Sequence, residues 1–316
     1  MSARPALTLL PLALLWRCAC AQPSTAEPPS ETDRALASAR SSVQSTAVWL
    51  ARGVDSWFGD QPFEQGGGKV TDGRLSVNLL KRQGDKPDLS VRFNARFKLP
   101  NFEQQTYLFI GRDAQSEVVS DTPGALSRQD RLLPAVTEDS TFFAGIGRSL
   151  NDAVDFRLGF RGGIKPYAQA RYRNIWQMEN EDLVEFRQTL FLTAADGLGS
   201  TTAVSWQRTL LPTLATRWLA SATVTQDQPM VGWSSLVGTY KSYGHQRLLA
   251  LEALIQGQQG SGVFATDLGL QTRWEQPVHQ NWLLGEVMVG HFWPRPDAQT
   301  PRRSAWALGV GVKMRL

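Results

Sequence analysis

The sequence predicts an all-β fold: a transmembrane, antiparallel, up-and-down β-barrel of about 14 strands, with 12 as the alternative, preceded by a short N-terminal amphipathic helix. Three observations carry this. Apolar and polar residues alternate with a period of two through many segments, as in LSVRFNARFKL at 89–99. The first residues have the pattern of an export signal, and no later stretch approaches the roughly 18 consecutive apolar residues of a spanning helix. A chain that is exported and crosses a membrane without such a helix does so in strands.

The N-terminus comes first. Arg4 provides a positive start, Ala6 to Trp16 an apolar run, and Ala19-Cys20-Ala21 a small-residue cleavage site, so residues 1–21 read as a signal peptide. Lipidation at Cys18 or Cys20 is a rival reading that the preceding residues fit poorly. Cleavage removes both cysteines, which excludes disulfides, Cys-ligated metals and Cys nucleophiles. It leaves 316 − 21 = 295 residues with 33 − 2 = 31 basic and 29 acidic side chains, a balance that points to no nucleic acid. Residues 22–33 read as a flexible leader. Residues 34–58 place Leu36, Val43, Ala47, Leu50, Ala51, Val54, Trp57 and Phe58 on one helical face, and GGG at 66–68 forms a hinge, so 34–68 is a periplasmic extension. Against the barrel mouth, as a plug, or bound to a partner are its three open placements.

The barrel is expected over 69–316, with strands at roughly 69–82, 87–99, 103–112, 139–149, 153–163, 166–178, 182–193, 200–210, 213–226, 230–242, 246–257, 264–276, 281–293 and 303–316. Turn signals such as SLND at 149–152 and MENED at 178–182 separate them. With both ends periplasmic, the outward links include the long 112–138, expected to constrict the outer mouth, and the proline-bearing 293–303. Trp176, Trp218, Trp274 and Trp282 near one set of strand ends, and Trp233, Trp293 and Trp306 near the other, form two aromatic girdles, with Trp206 further in. The last residues, with Gly311, Met314 and Leu316, resemble the terminal signal read by bacterial barrel-assembly machinery, although aromatics are usual at the last two positions. On this reading Phe93 and Phe97 face lipid.

WFGDQPFE at 57–64, FKLPN at 97–101 and GFRGGIKPYAQARYR at 159–173 resemble an uncharacterised proteobacterial outer-membrane barrel group. The resemblance covers about 57–316 and implies fold and an outer-membrane location in a Gram-negative bacterium, not an activity. The length is also similar to that of small 14-stranded monomeric porins, an analogy of architecture alone.

Catalysis is not expected. Barrel phospholipases, omptin proteases and lipid A deacylases use a histidine with a hydroxyl, amide or carboxylate partner. Here His245 and His279 fall in periplasmic turns, and His291 has no Ser or acid at a neighbouring same-face position. No metal site or cofactor is expected. The polar strand faces carry the stronger signal. Arg92, Arg96, Lys98, Arg157, Arg161, Arg171, Arg173, Arg187, Arg273, Lys313 and Arg315 point to the lumen, against Asp155, Glu185, Glu252, Asp267, Glu275 and Glu286. A lining of one sign selects by charge, which predicts passage of small anionic solutes, with Asp155, Glu185 and Glu275 orienting neighbouring arginines. The alternatives are a closed polar network in a non-transporting barrel that binds periplasmic partners, and an outer-leaflet lipid enzyme.

Overall fold

The computed structural model describes residues 33–34, 36–38, 40–41, 69–98, 105–133, 140–178, 181–244 and 246–315. Two compact units divide the chain, 1–39 and 40–316. In the first, 33–34 and 36–38 are helical, and in the second 40–41 are helical as well, at the start of the expected helix. The signal peptide, the leader through residue 32, the remainder of that helix and the glycine hinge lie outside the described residues.

The second unit holds a closed antiparallel barrel of 14 strands: β1 (Lys69–Arg82), β2 (Asp88–Lys98), β3 (Thr106–Asp113), β4 (Thr141–Ser149), β5 (Val154–Arg161), β6 (Lys165–Met178), β7 (Asp182–Thr193), β8 (Gly197–Leu211), β9 (Leu214–Thr225), β10 (Gly232–Ser242), β11 (Leu248–Gln258), β12 (Asp267–His279), β13 (Leu283–Phe292) and β14 (Ala305–Arg315). Each pairs with its sequence neighbours, and β1 closes on β14 through Val77↔Val312 and Leu79↔Val310. Closure removes the free edges of an open sheet, which is what a strand protein in lipid requires.

Alternation sets the two faces. Along β14, Trp306, Leu308, Val310 and Val312 are exposed outward, while Ala305, Ala307, Gly309 and Gly311 are buried inward. Leu89, Leu158, Val237 and Leu251 continue the bare apolar outer wall. Exposed apolar area on that scale fits hydrocarbon and not bulk water. Phe93 belongs to this wall, its ring 6.0 Å from that of Phe142. Phe97 is a correction. Its register places it on the same face, but it is 0% exposed, and its outward neighbours Ala95 and Leu108 are buried too, so this stretch of wall is enclosed within the chain. Links on the side of the termini are short, with only residues 212–213 between β8 and β9. On the far side, Gly162 and Gly163 make the β5–β6 turn at positive φ, which a side chain resists.

The β3–β4 link does not stay at the mouth. It turns into the lumen and carries two helices, α1 (Gln115–Val118) and α2 (Gly124–Leu132). Leu126, Leu132 and Leu133 pack in one buried cluster with Leu80, Leu219, Leu236, Leu254 and Phe292 of the inner wall. Burying each leucine is worth about 1.5–3 kcal/mol, which holds the segment in place. Val118 and Val119 pack on the opposite wall among Tyr107, Phe109, Phe143, Tyr167 and Phe191. Three of those rings lie over cross-strand glycines of the β3–β4 pair: Tyr107 over Gly147, Phe109 over Gly145 and Phe143 over Gly111.

Candidate functional site: a basic lumen and its inserted segment

Strand register brings the expected lumen residues to the inner face: Arg92, Arg96 and Lys98 on β2, Asp155, Arg157 and Arg161 on β5, Arg171 and Arg173 on β6, and Glu185 and Arg187 on β7. Glu252 on β11, Asp267, Arg273 and Glu275 on β12, Glu286 on β13, and Lys313 and Arg315 on β14 complete the set. They do not form a free ladder. Most are gathered into ion-pair clusters.

In one cluster the Tyr107 hydroxyl lies 2.7 and 2.6 Å from the Asp155 carboxylate oxygens, and Arg157 Nε donates to that hydroxyl at 3.0 Å. Arg171 reaches Asp155 at 3.2 Å and Asp121 of the inserted segment at 3.4 Å. Asp121 also takes Arg187 at 3.2 Å and the Thr189 hydroxyl at 3.0 Å. In a second cluster, Arg273 donates to Glu275 at 2.9 Å and to Glu286 at 3.5 Å, and Lys313 meets both acids. Arg173 and Glu185 form a two-bond pair at 3.1 and 3.0 Å. Asp155, Glu185 and Glu275 therefore sit where they fix neighbouring basic groups. Arg161 lies 3.9 Å from Asp196, and the Arg96 guanidinium stacks 4.4 Å over the Tyr107 ring. Glu252 accepts from Gln129 at 2.9 Å and from Tyr240 at 2.8 Å, which pins α2 to β10 and β11. Asp267 accepts from Gln256 at 3.2 Å.

The end of β3 and the inserted segment supply acids beyond those expected in the lumen. Asp113 binds Arg92 at 2.7 Å, Glu117 binds it at 3.3 Å, and Ser127 donates to Glu117. These with Asp121 absorb part of the basic surplus. The segment also adds charge of the other sign. Arg128 and Arg131 of α2 join Arg82, Arg92 and Arg112 around a cavity of about 140 Å³ whose only acidic lining residue among the described ones is Asp88. Neither Arg128 nor Arg131 has an ion-pair partner among the described residues, and Arg92 Nε is buried without an acceptor. A cavity of about 430 Å³ opens at the far end against Thr122, Asp130, Thr223 and Asp267, and one of about 130 Å³ lies between Gly124 and Arg187, Ser205 and Arg217.

The tryptophans Trp176, Trp206, Trp218, Trp233, Trp274 and Trp306 share the outward face of their strands, with Trp293 just past β13. Trp233 packs on Phe264 at 5.3 Å and Trp274 on Tyr243 at 5.7 Å. Trp282 differs, being buried in the β12–β13 turn with the Arg40 guanidinium 5.2 Å over its ring. Gly311 faces inward and Met314 outward, while Leu316 lies outside the described residues. His291 also faces outward, its ring 4.6 Å from that of Trp293. His279 lies 5.4 Å from Trp282, and His245 is outside the described residues. Among the described residues, no three His, Cys, Asp or Glu side chains are grouped to hold a metal ion.

No family model matches the chain, and no curated protein matches it. Among solved structures it is similar to the outer membrane channel DcaP of Acinetobacter baumannii, at 8% identity over 80% of this chain and 98% of that one, with a TM-score of 0.46. An anion-selective porin from Comamonas acidovorans is similar at 8% identity over 79% of this chain and 100% of that one, with a TM-score of 0.45. The KdgM porin in complex with disordered oligogalacturonate is similar at 7% identity over 76% of this chain and 98% of that one, with a TM-score of 0.39. The likeness is architectural.

Proposed function

We propose that the chain is exported under residues 1–21, inserted in the outer membrane of a Gram-negative bacterium by its barrel-assembly machinery, and passes small anionic solutes through a lumen narrowed by residues 114–133. The bare apolar wall between two sets of outward tryptophans supports the membrane placement. The observation that carries the selectivity is the acid-poor cavity between α2 and β1–β2. There the inserted segment, having matched some wall arginines, contributes Arg128 and Arg131 unmatched. A positive constriction in a low-dielectric wall concentrates anions and repels cations, and guanidinium groups offer paired donors to carboxylate or phosphate.

A second reading is a non-transporting barrel with a filled lumen. It is favoured by the apolar cluster of Leu126, Leu132 and Leu133 against the wall leucines, which is built like a protein core.

One experiment separates the two: single-channel recording of the refolded protein in a planar bilayer under a salt gradient. The channel reading expects steady conductance with an anion-favouring reversal potential that moves toward zero in R128Q/R131Q. Silence from correctly folded protein would favour the filled barrel.

A further inference from the structure

At the rim opposite the termini, neighbouring strands end nearly level. At every junction but one, a strand overruns its last registered partner by two residues at most. The exception lies between β2 and β3. Their last registered pair is Phe93↔Arg112, and Asp88, Leu89, Ser90, Val91 and Arg92 run on beyond it. The cause is the inserted segment. Asp113 accepts the Ala114 N–H at 2.8 Å, β3 stops, and the chain that would have covered the β2 edge enters the lumen instead. The wall is left with a notch, bridged among the described residues by the Arg92–Asp113 pair at its base.

The arginine-lined cavity sits beside this notch, where β2 runs on past its last β3 partner among the described residues. Ser90 and Arg92, which point inward, and Leu89 and Val91, which point outward, line it together, although they alternate along one strand. Its inner part holds Arg82, Arg92, Arg128 and Arg131, and Arg112 stands at the outer lip. Arg82 pairs with Asp85 at 2.9 Å and Arg92 with Asp113 and Glu117, whereas Arg128 and Arg131 have no ion-pair partner among the described residues. Outside the notch, Leu79, Leu89 and Val91 present a bare apolar strip. A charged end and an apolar end, joined through a gap in the wall, match a molecule with an anionic head and a hydrocarbon tail.

We propose that the β2–β3 notch is a lateral portal that binds the carboxylate or phosphate head of a single-chain amphiphile, with its tail left in the membrane against Leu79, Leu89 and Val91. The proposal rests on the membrane placement above and is independent of whether the lumen conducts. A cavity of about 140 Å³ takes the head group alone, which leaves the tail outside it.

The test uses the full mature chain refolded into phosphatidylcholine nanodiscs, with folding checked by heat-modifiable gel mobility. Retention of monododecyl phosphate, laurate, dodecyltrimethylammonium and inorganic phosphate is read by native mass spectrometry. Both anionic amphiphiles should be retained at near one per chain, the cationic one not. R128Q/R131Q should retain at least tenfold less of each, and R128Q alone should show an intermediate loss. Inorganic phosphate bound as tightly as monododecyl phosphate would make this an anion site filled from water and overturn the portal. Equal retention of the cationic amphiphile, or unchanged retention in both variants, would overturn it as well. Conductance measured on the same preparations separates the two ideas: silent protein that still retains the anionic amphiphiles loses the channel and keeps the portal.

Discussion

The ring of Tyr107 occupies the place where a side chain on Gly147 would begin: a Cβ built there lies 2.2 Å from the tyrosine Cζ. The two residues are direct partners across the β3–β4 ladder, and the glycine lets the phenol lie along the inner wall with its hydroxyl on Asp155. Replacing Gly147 with alanine should force the ring off that carboxylate. Overpacking of this kind costs about 1–3 kcal/mol. A lower unfolding temperature in detergent, with the barrel still heat-modifiable on gels, is expected, and an unchanged melting curve would refute the packing.

Asp121 is the electrostatic anchor of the inserted segment. It sits at φ 57, where aspartate and asparagine are tolerated, and holds Arg171, Arg187 and Thr189. D121N keeps the backbone and removes the charge. Breaking a buried pair costs about 3–5 kcal/mol, so the segment should loosen. Larger, noisier single-channel currents with stronger anion preference are expected as the two arginines lose their counter-charge. A drop in current would contradict this role.

The apolar anchor has its own test. Leu132 is 1% exposed within the cluster that fixes α2. L132D places a charge there without touching the strand ladders. The segment should detach while the barrel keeps its far-ultraviolet strand signal, and conductance should rise severalfold. Equal conductance with retained fold would mean that α2 does not control the passage.

Asp297, in the β13–β14 link, offers a pH readout away from the barrel wall. N–H groups of Thr300 and Gln299 donate to its carboxylate at 2.7 and 2.8 Å and hold its pKa below the ordinary aspartate range, the Thr300 bond most of all. A depressed acid pKa stabilises the turn above the unfolded value, and that support disappears as pH falls through the lowered one. The Thr300 amide resonance should therefore titrate with a midpoint below about 3.9, and D297N should abolish the titration. A midpoint at or above that value would remove the proposed bonds.

The barrel was readable because a period of two survives wherever one face meets hydrocarbon and the other meets polar groups. The expected 69–82 coincides with β1, and 139–149 with β4 to within two residues. Inward placement of Arg92, Arg157 or Lys313 follows from parity alone. What parity cannot show is which charges meet. Asp121 lies 171 − 121 = 50 and 187 − 121 = 66 residues from its two arginines in sequence, and only the folded barrel brings them together. The 112–138 link, expected at the mouth, is rich in Asp, Ser, Arg and Gly, and that polar content masks Leu126, Leu132 and Leu133. The signal was present on the wall. Leu80 and Phe292 put apolar groups on the inner face and blur the alternation of β1 and β13, as they must where a wall meets an apolar filling. Arg82 is hidden in the same way, because Leu79-Leu80 interrupts the alternation of its strand.

The filling of this barrel is encoded third from the start. Leu126, Leu132 and Leu133 precede β4, whereas Leu219, Leu236, Leu254 and Phe292, which grip them, lie on β9, β10, β11 and β13, and the final strand meets the first. In order of synthesis, the later staves of the cask are laid against contents already written upstream, and the last joint is the one between chain beginning and chain end. The contents therefore tie early and late staves to one another, far apart though they are along the chain.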